Sequence, residues 1–283
     1  MTVLTCQQAL QAALTLGLDR LDAQLLLLHA LGKPASDRAW LLAHDDDVLE
    51  EAVSHAFRQL SLRRAAGEPL AYIVGYKEFF GLRMKVDARA LVPRPDTETL
   101  VQWALEILQD PAMVANPQIL DLGTGSGAIA IAIAHSLQAA GRPAKVMAVD
   151  ASTDALAVAR ENARQLQVDL QFVESHWLDK VSGYLHLIAS NPPYVASADP
   201  HLTALMYEPL QALTAGADGL DDIRHIVEQA PKNLHPGGWL LLEHGYDQAD
   251  RVRALLAERG FGQVQSRLDL AGITRCSGGQ WPE

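Results

Sequence analysis

Residues 118–134 read QILDLGTGSGAIAIAIA, and this stretch decides the fold class. A short apolar strand pattern, QILDL, runs into a turn with three glycines, and a strongly apolar helix pattern follows. Glycines at such a turn let a ligand approach bare backbone, while the start of the helix offers free N–H groups. The spacing Gly123-x-Gly125-x-x-Ala128 also matches the alanine-ended form of the dinucleotide-binding fingerprint. The stretch therefore predicts a ligand-binding turn at one edge of a sheet.

Strands and helices continue to alternate from Pro117 to the end of the chain. This alternation predicts a mainly parallel sheet with helices on both faces. No helix separates the last two predicted strands, near 262–266 and 272–276, so we expect one of them to run antiparallel. The predicted fold class is α/β, with a seven-stranded, mainly parallel, Rossmann-like sheet. The first five strands are expected at QILDL, KVMAVD, LQFVES, LHLIAS and GGWLLLEH.

Two other regions precede this pattern. Residues 1–75 carry apolar side chains at spacings of three and four, which predicts a small bundle of four or five short helices. Residues 76–95 contain two short alternating runs around Gly81, which predicts a β-hairpin between two domains. Residues 96–283 form the second domain, and Asp96 or Thr97 is expected to cap its first helix.

Two carboxylates indicate what the glycine turn binds. Asp150 ends the second strand, KVMAVD, and in an open parallel sheet its carboxylate lies beside the turn. There it can accept both hydroxyls of a ribose, which nicotinamide nucleotides and S-adenosylmethionine both present. Asp121, directly before the glycines, disfavours a pyrophosphate and suits a ligand that carries an ammonium and a sulfonium. The pair therefore favours S-adenosylmethionine.

The fourth strand, LHLIAS, ends in the sequence NPPY at residues 191–194. Because Pro192 and Pro193 have no N–H, the carbonyls of this segment remain available as acceptors. The side-chain oxygen of Asn191 and the carbonyl of Pro192 can hold both N–H groups of a primary amine or amide, and Tyr194 can lie flat against the planar group. Holding both hydrogens orients the nitrogen for in-line methyl transfer. The predicted catalytic residues are Asn191, Pro192 and Tyr194, and Pro193 joins them as a substrate-binding residue.

Composition limits the partners and the compartment. The chain has 23 basic and 34 acidic residues, and its net charge of −11 argues against general nucleic-acid binding. Cys6 and Cys276 have no partner spacing, which excludes a disulfide framework, and the ten histidines show no metal-ligand pattern. We find no secretory signal and no apolar run that could span a membrane, so we expect a cytoplasmic protein with no membrane partner.

Several motifs together resemble those of the release factor glutamine methyltransferases, the HemK and PrmC type. Asn-Pro-Pro-Tyr is typical of methyltransferases that act on planar nitrogens, and its combination with PRPDTE and a GTGSG turn is specific. The resemblance runs from about Gly67 to Gly245. The matching stretches are AGEPLAYIVGYKEFFGL, LVPRPDTETLV, DLGTGSGAIAIA, SNPPY, EPLQALTAGADGL and GGWLLLEHG.

The resemblance implies a substrate-recognition domain at 1–75, a hairpin linker at 76–95 and a methyltransferase domain at 96–283. It implies transfer from S-adenosylmethionine to the glutamine of the Gly-Gly-Gln motif in class-one peptide chain release factors, with S-adenosylhomocysteine as product. We expect a monomer. An indole in the loop after the third strand could pack on the adenine. The implied cofactor contacts are Gly123, Thr124, Gly125, Ser126, Gly127, Asp150, Trp177 and Asn191.

Two positions depart from the family pattern. Members often have Ser-Asp-Trp before the fourth strand, whereas His176 stands here between Ser175 and Trp177. A basic residue often precedes the Glu-Pro pair, whereas Met206 and Tyr207 precede it here. The tail also contains Gly278-Gly279-Gln280, a copy of the implied target tripeptide, which we ascribe to chance.

Other functions remain open on the residues alone. An adenine amino-group methyltransferase of DNA or RNA would use the same clamp, although the acidic charge argues against it. A nicotinamide-dependent oxidoreductase would rest on the glycine turn alone. A binding module that holds the cofactor without turnover would share every motif.

Overall fold

The computed structural model describes residues 4–282, which divide into two compact units at Tyr76 and Lys77. The first unit contains five helices, as the periodicity predicted. They are α1 (Cys6–Thr15), α2 (Arg20–Ala30), α3 (Arg38–Ala43), α4 (Glu51–Ala65) and α5 (Leu70–Val74). A capping box at Thr5 starts α1, since Thr5 Oγ1 accepts from the Gln8 amide and the Gln8 side chain accepts from the Thr5 amide. Leu26, Leu27 and Leu28 of α2 lie in the core of this bundle.

The second unit begins with the hairpin predicted around Gly81. Its strands are β1 (Tyr76–Phe79) and β2 (Leu82–Lys85), and β2 packs close to the glycine turn. The side chain of Asn162 connects the two: its Oδ1 accepts from the Lys85 amide at 2.7 Å, and its Nδ2 donates to the carbonyls of Lys85 and Ser126 at 3.0 and 2.9 Å. The division between units places the hairpin with the sheet.

A seven-stranded sheet organises the rest of this unit and confirms the predicted fold class. Its order is β5-β4-β3-β6-β7-β9-β8. Among these strands, β9 alone runs in the opposite direction to the other six. The strands are β3 (Gln118–Leu122), β4 (Lys145–Asp150), β5 (Gln171–Glu174), β6 (Leu185–Ser190), β7 (Leu234–Glu243), β8 (Gly262–Leu268) and β9 (Thr274–Gln280). The last strand extends four residues beyond the predicted segment near 272–276.

Helices cover both faces of the sheet. They are α6 (Glu98–Leu108), α7 (Ala128–Ala139), α8 (Thr153–Gln165), α9 (Asp221–Gln229) and α10 (Ala249–Arg259). One core contains residues of α6 and α7, and the other contains residues of α9 and α10. Thr97 precedes α6, after a 3₁₀ turn at Pro95–Thr97, but its side chain does not cap the helix. Thr97 thus occupies the predicted cap position of α6 without a side-chain cap bond, and its hydroxyl accepts from the Asn191 side chain at 3.2 Å.

Two structural findings bear on the surface and the tail. No helix within residues 4–282 combines the length and apolar character needed to cross a lipid bilayer.

The tripeptide Gly278-Gly279-Gln280 lies in β9, where Gly278 pairs with Leu241 and the Gln280 side chain donates to the Gly237 carbonyl at 2.9 Å. This segment is part of the sheet and is not presented as a loop.

We predict that Gly278→Ala destabilises the protein by about 1–3 kcal/mol, because a core with no free space resists an added methyl. A Cβ there would lie 2.6 Å from the Leu240 carbonyl oxygen and 2.9 Å from the Trp103 ring. Gly262→Ala is the control, since its Cβ would meet no atom closer than 3.9 Å. Urea unfolding measures both, and equal midpoints for the two variants would contradict the packing argument.

Candidate functional site

The candidate site lies where β3, β4 and β6 end together. Leu122 of β3 is paired with Val149 of β4 and with Ser190 of β6, and all three strands run parallel. Their carboxyl ends therefore meet at one edge, and β3 and β6 flank the point where the strand order reverses. Ligands bind at such switch points in open α/β sheets.

The glycine turn forms one wall of the site. Gly123 and Gly125 line a cavity, while Thr124 and Ser126 are buried behind them. Gly127 has φ +85°, and a Cβ there would lie 2.9 Å from the Ile131 side chain and 3.1 Å from the Ala159 Cβ. The turn can therefore approach α8 this closely only with glycine at position 127.

Asp150 connects the end of β4 to the glycine turn, at the place predicted for it. Its Oδ2 accepts from the Gly125 amide at 2.9 Å, and its Oδ1 accepts from the Ser152 amide at 2.8 Å. Burial raises the pKa of this carboxyl, and backbone hydrogen bonds from Ser152, Gly125 and Ala151 oppose that rise. The carboxylate lines the cavity, so its remaining lone pairs face the space available to a ligand.

Asp121 lies beneath the turn and not on its open side. It is fully buried, and its Oδ2 accepts from the Thr124 hydroxyl at 2.6 Å and the Ala130 amide at 3.0 Å. Its Oδ1 has no hydrogen-bond partner within the described chain. Burial raises the pKa of Asp121 to about 7. An unpaired carboxylate oxygen at this depth is costly unless another group reaches it.

Trp177 forms another part of the cavity wall, next to Gly123. It follows β5 with φ +45°, a conformation that bulky side chains rarely adopt. Its ring carbons would lie 3.4 Å from a Cβ on Gly123, and its indole Nε1 donates to Asp222 Oδ1 at 3.1 Å. His176, at one of the departures from the family pattern, packs edge-on against Trp177 and also lines the cavity.

These elements enclose a cavity of about 480 Å³, the size of a small-molecule site. Besides the residues above, its wall contains Asn191, Pro193, Glu174, Ser175, the segments 89–91 and 151–153, Ala155, Pro209, Gln211 and Ala212. No site residue was predicted in the segments 89–91 and 209–212, although the second lies in the matching stretch EPLQALTAGADGL. Glu208 connects them, since it accepts from the Val92 amide at 3.2 Å and the Arg94 guanidinium at 2.5 Å.

The NPPY segment follows β6 directly at the same edge. Asn191 and Pro193 line the cavity, Pro192 is buried, and Tyr194 is partly buried beside them. Within residues 4–282, neither Asn191 Oδ1 nor the Pro192 carbonyl accepts a protein hydrogen bond. The Tyr194 carbonyl, in contrast, accepts from Gln248 Nε2 at 3.1 Å. The two acceptors that the sequence predicted are thus free of protein donors.

Two buried polar side chains behind this segment escaped sequence reasoning. Gln248 also accepts from the Gly245 amide at 2.8 Å and so holds the backbone near Tyr194. Glu243 ends β7, is 1% exposed, and faces Asn191 and Thr97. The signal for Glu243 was present, because it ends an apolar strand at the same edge as Asp150. No cluster of three or more potential metal ligands occurs in the part of the chain that the structure describes.

Comparisons with known proteins give two family matches. Residues 5–75 match the family described as the PrmC N-terminal domain, and residues 101–218 match the methyltransferase small domain.

Curated relatives match over nearly the full chain. The release factor glutamine methyltransferase of Bordetella pertussis is 48% identical, covering 93% of this chain and 95% of its own. The proteins of the same name from Vibrio cholerae and Xylella fastidiosa are each 44% identical, covering 92% and 97% of this chain and 89% and 98% of theirs.

Solved structures share the fold. A methyltransferase from Pyrococcus furiosus aligns with a TM-score of 0.53 at 18% identity, covering 78% of this chain and 99% of its own. A 16S rRNA methyltransferase of T. Thermophilus, in complex with AdoMet and guanosine, aligns with a TM-score of 0.51 at 20% identity, covering 73% of this chain and 49% of its own.

We predict that the unpaired Asp121 carboxylate makes stability depend on pH. A folded-state pKa of about 7 against an ordinary value of 3.8 means that the folded protein holds the proton more tightly. This contribution to stability is complete below about pH 4 and is lost as the pH rises through 7. Asp121→Asn should therefore lose less thermal stability than wild type between pH 4 and pH 8. Parallel melting-temperature profiles for the two proteins would contradict it.

Proposed function

We propose that this chain, which belongs to the family of release factor glutamine methyltransferases, methylates the glutamine of the Gly-Gly-Gln motif in class-one peptide chain release factors. The methyl donor is S-adenosylmethionine, and the acceptor atom is the side-chain amide nitrogen. The products are N5-methylglutamine, S-adenosylhomocysteine and one proton. The observation that carries the proposal is the pair of free acceptors at Asn191 and Pro192, directly beside the cavity of the glycine turn.

The residues of the cavity fit this cofactor. Bare backbone at Gly123 and Gly125 admits close contact, Asp150 offers lone pairs to the ribose hydroxyls, and the Trp177 indole provides a flat surface for adenine. The buried Thr124, Ser126 and Gly127 support the turn that holds the methionine part. When bound, the cofactor supplies a methyl group on a positively charged sulfur.

The NPPY segment would act on the amide without a strong base. An amide nitrogen is a poor nucleophile because its lone pair is delocalised into the carbonyl. Asn191 Oδ1 and the Pro192 carbonyl would accept one N–H each, which directs the nitrogen toward the methyl group and favours positive charge on it during transfer. Pro193 would line the path of the substrate, and Tyr194 would pack against the planar amide. Burial raises the pKa of Tyr194, so its phenol stays neutral and is no proton acceptor.

The remaining parts of the proposal concern partners and organisation. Residues 1–75 would recognise the release factor, the hairpin at 76–95 would connect them to the catalytic domain, and the enzyme would work as a monomer. The net charge of −11 supports a protein substrate over a nucleic acid. A substrate that acts on ribosomes implies a cytoplasmic reaction. Met206, in the segment before Glu208, is exposed and would be available to contact the factor.

The activity test uses labelled S-adenosylmethionine with a purified class-one release factor. We expect one methyl group per factor, located by mass spectrometry on the Gly-Gly-Gln glutamine, because the clamp fits a primary amide. A factor with that glutamine changed to alanine is the control, and adenine-containing oligonucleotides form a second arm. Label on the oligonucleotide and none on the factor would overturn the proposal.

We further predict that Asn191→Ala lowers kcat by at least about 100-fold while the Kd for S-adenosylmethionine stays within about threefold, since an acceptor used in the transition state is lost. Asn116→Ala, an exposed asparagine before β3, is the matched control and should retain full activity. Calorimetry gives the Kd and initial rates give kcat. Full turnover by the Asn191→Ala enzyme would refute the clamp.

A further inference from the structure

Glu243 is a buried carboxyl directly behind the NPPY segment, and the proposed chemistry leaves it unused. Parallel pairing of β6 with β7 places Ser190 opposite Leu242, so the next residues, Asn191 and Glu243, leave the two strands side by side. Thr97, at the start of α6 and 3% exposed, completes the group. All three residues belong to the second compact unit.

The three side chains face one another. Asn191 Nδ2 donates to Thr97 Oγ1 at 3.2 Å, and the Thr97 and Asn191 side chains lie close enough to the Glu243 carboxyl to lower its pKa. An ionised carboxylate can only accept. A lone pair of the Thr97 hydroxyl accepts from Asn191, so the hydroxyl proton is left to point toward the carboxylate. The amide nitrogen of Asn191 is therefore held toward the interior, and its oxygen is left on the other side.

The Glu243 carboxyl is buried without full pairing of its oxygens. Burial raises the pKa of Glu243 to about 7, and its Oε2 has no hydrogen-bond partner in residues 4–282. Asp96 adds to the rise, while Arg275 and the bonds from Thr97 and Asn191 oppose it. A buried polar atom without a partner is unfavourable, so its presence here calls for a functional reason.

We propose that Glu243 and Thr97 are positioning residues that fix the orientation of the Asn191 amide so that Oδ1 faces the substrate nitrogen. This inference rests on the proposed function, since it specifies how that clamp is held. An asparagine amide can rotate by half a turn at little steric cost. In the reversed orientation Nδ2 would point its hydrogens at the hydrogens of the substrate amide, and the clamp would repel what it should hold.

The test compares Thr97→Val, which keeps the shape and removes the hydroxyl, with Thr97→Ser, which restores it. At pH 8, where Glu243 is ionised, we expect Thr97→Val to lower kcat by about 10- to 100-fold, the loss typical of a misoriented group. KM for the release factor and the Kd for S-adenosylmethionine should change less than about threefold, because Asn191 supplies only one of the contacts in each binding site. Thr97→Ser should stay within about threefold of wild-type kcat.

Glu243→Gln provides a second variant in case Thr97→Val folds poorly. A neutral amide can donate as well as accept, so it no longer dictates the direction of the hydrogen bonds, and kcat should fall. Its melting temperature at pH 8 should equal or exceed that of wild type, because a buried neutral amide costs less than a buried carboxylate. The titratable groups that face Glu243 are Tyr194, Cys276, Asp96 and Arg275. The pKa values of Tyr194 and Cys276 are raised, so both stay neutral at this pH.

One measurement separates this inference from the proposed function. The side-chain NH₂ signals of Asn191, assigned by their loss in Asn191→Ala, should exchange slowly with solvent in wild type and rapidly in Thr97→Val, whatever the substrate is. If wild type shows slow exchange but no methylation of the release factor, the proposed function is rejected while the proposed orientation of the Asn191 amide stands. Active wild type with Thr97→Val at full kcat, or unchanged exchange in Thr97→Val, would overturn the positioning role.

Discussion

The parallel pairing of β3 with β6 is the constraint on which the rest of the site depends. Leu122 and Ser190 are partners in this pair, so the glycine turn and the NPPY segment start from neighbouring strand ends. The turn carries bare backbone for a ligand, and the segment carries two acceptors that its prolines leave free. A strand inserted between β3 and β6 would move the turn and the segment apart by about 5 Å.

Carboxyl groups mark this edge of the sheet at three strand ends, and each is held differently. Asp121 lies beneath the turn with one unpaired oxygen, Asp150 connects two strand ends through backbone amides, and Glu243 faces the side chains of Asn191 and Thr97. Burial raises the pKa of all three. Burying these carboxyl groups lowers the stability of the fold, and in return it places charged and polar groups in the site, as is common in active sites.

Much of the fold and part of the site could be predicted from the sequence, because the signals are local. Strand and helix patterns alternate within short windows, and chain order with the handedness of crossovers then sets the strand order. The turn at 123–127 and the NPPY segment each carry their meaning in consecutive residues. Asp150 could be predicted as a site residue because it ends a strand. The same reasoning applied to Glu243 would have identified that residue as well.

What could not be predicted depends on contacts between residues far apart in the chain. Thr97 precedes a helix and reads as a cap, yet its hydroxyl accepts from Asn191 because α6 packs against β6 and β7. The bond between Arg94 and Glu208 and the Gln248 contact with the Tyr194 carbonyl are of the same kind. The length of β9 was also missed, since the predicted strand stopped near residue 276, whereas pairing with β7 continues through Gly278 and Gly279.

The most direct test of the account is a crystal structure with S-adenosylhomocysteine and a Gly-Gly-Gln peptide bound together. The account predicts the glutamine amide nitrogen within hydrogen-bond distance of Asn191 Oδ1 and the Pro192 carbonyl oxygen, with the cofactor sulfur on its other side. A glutamine side chain bound elsewhere, or one that meets Asn191 through Nδ2, would contradict it.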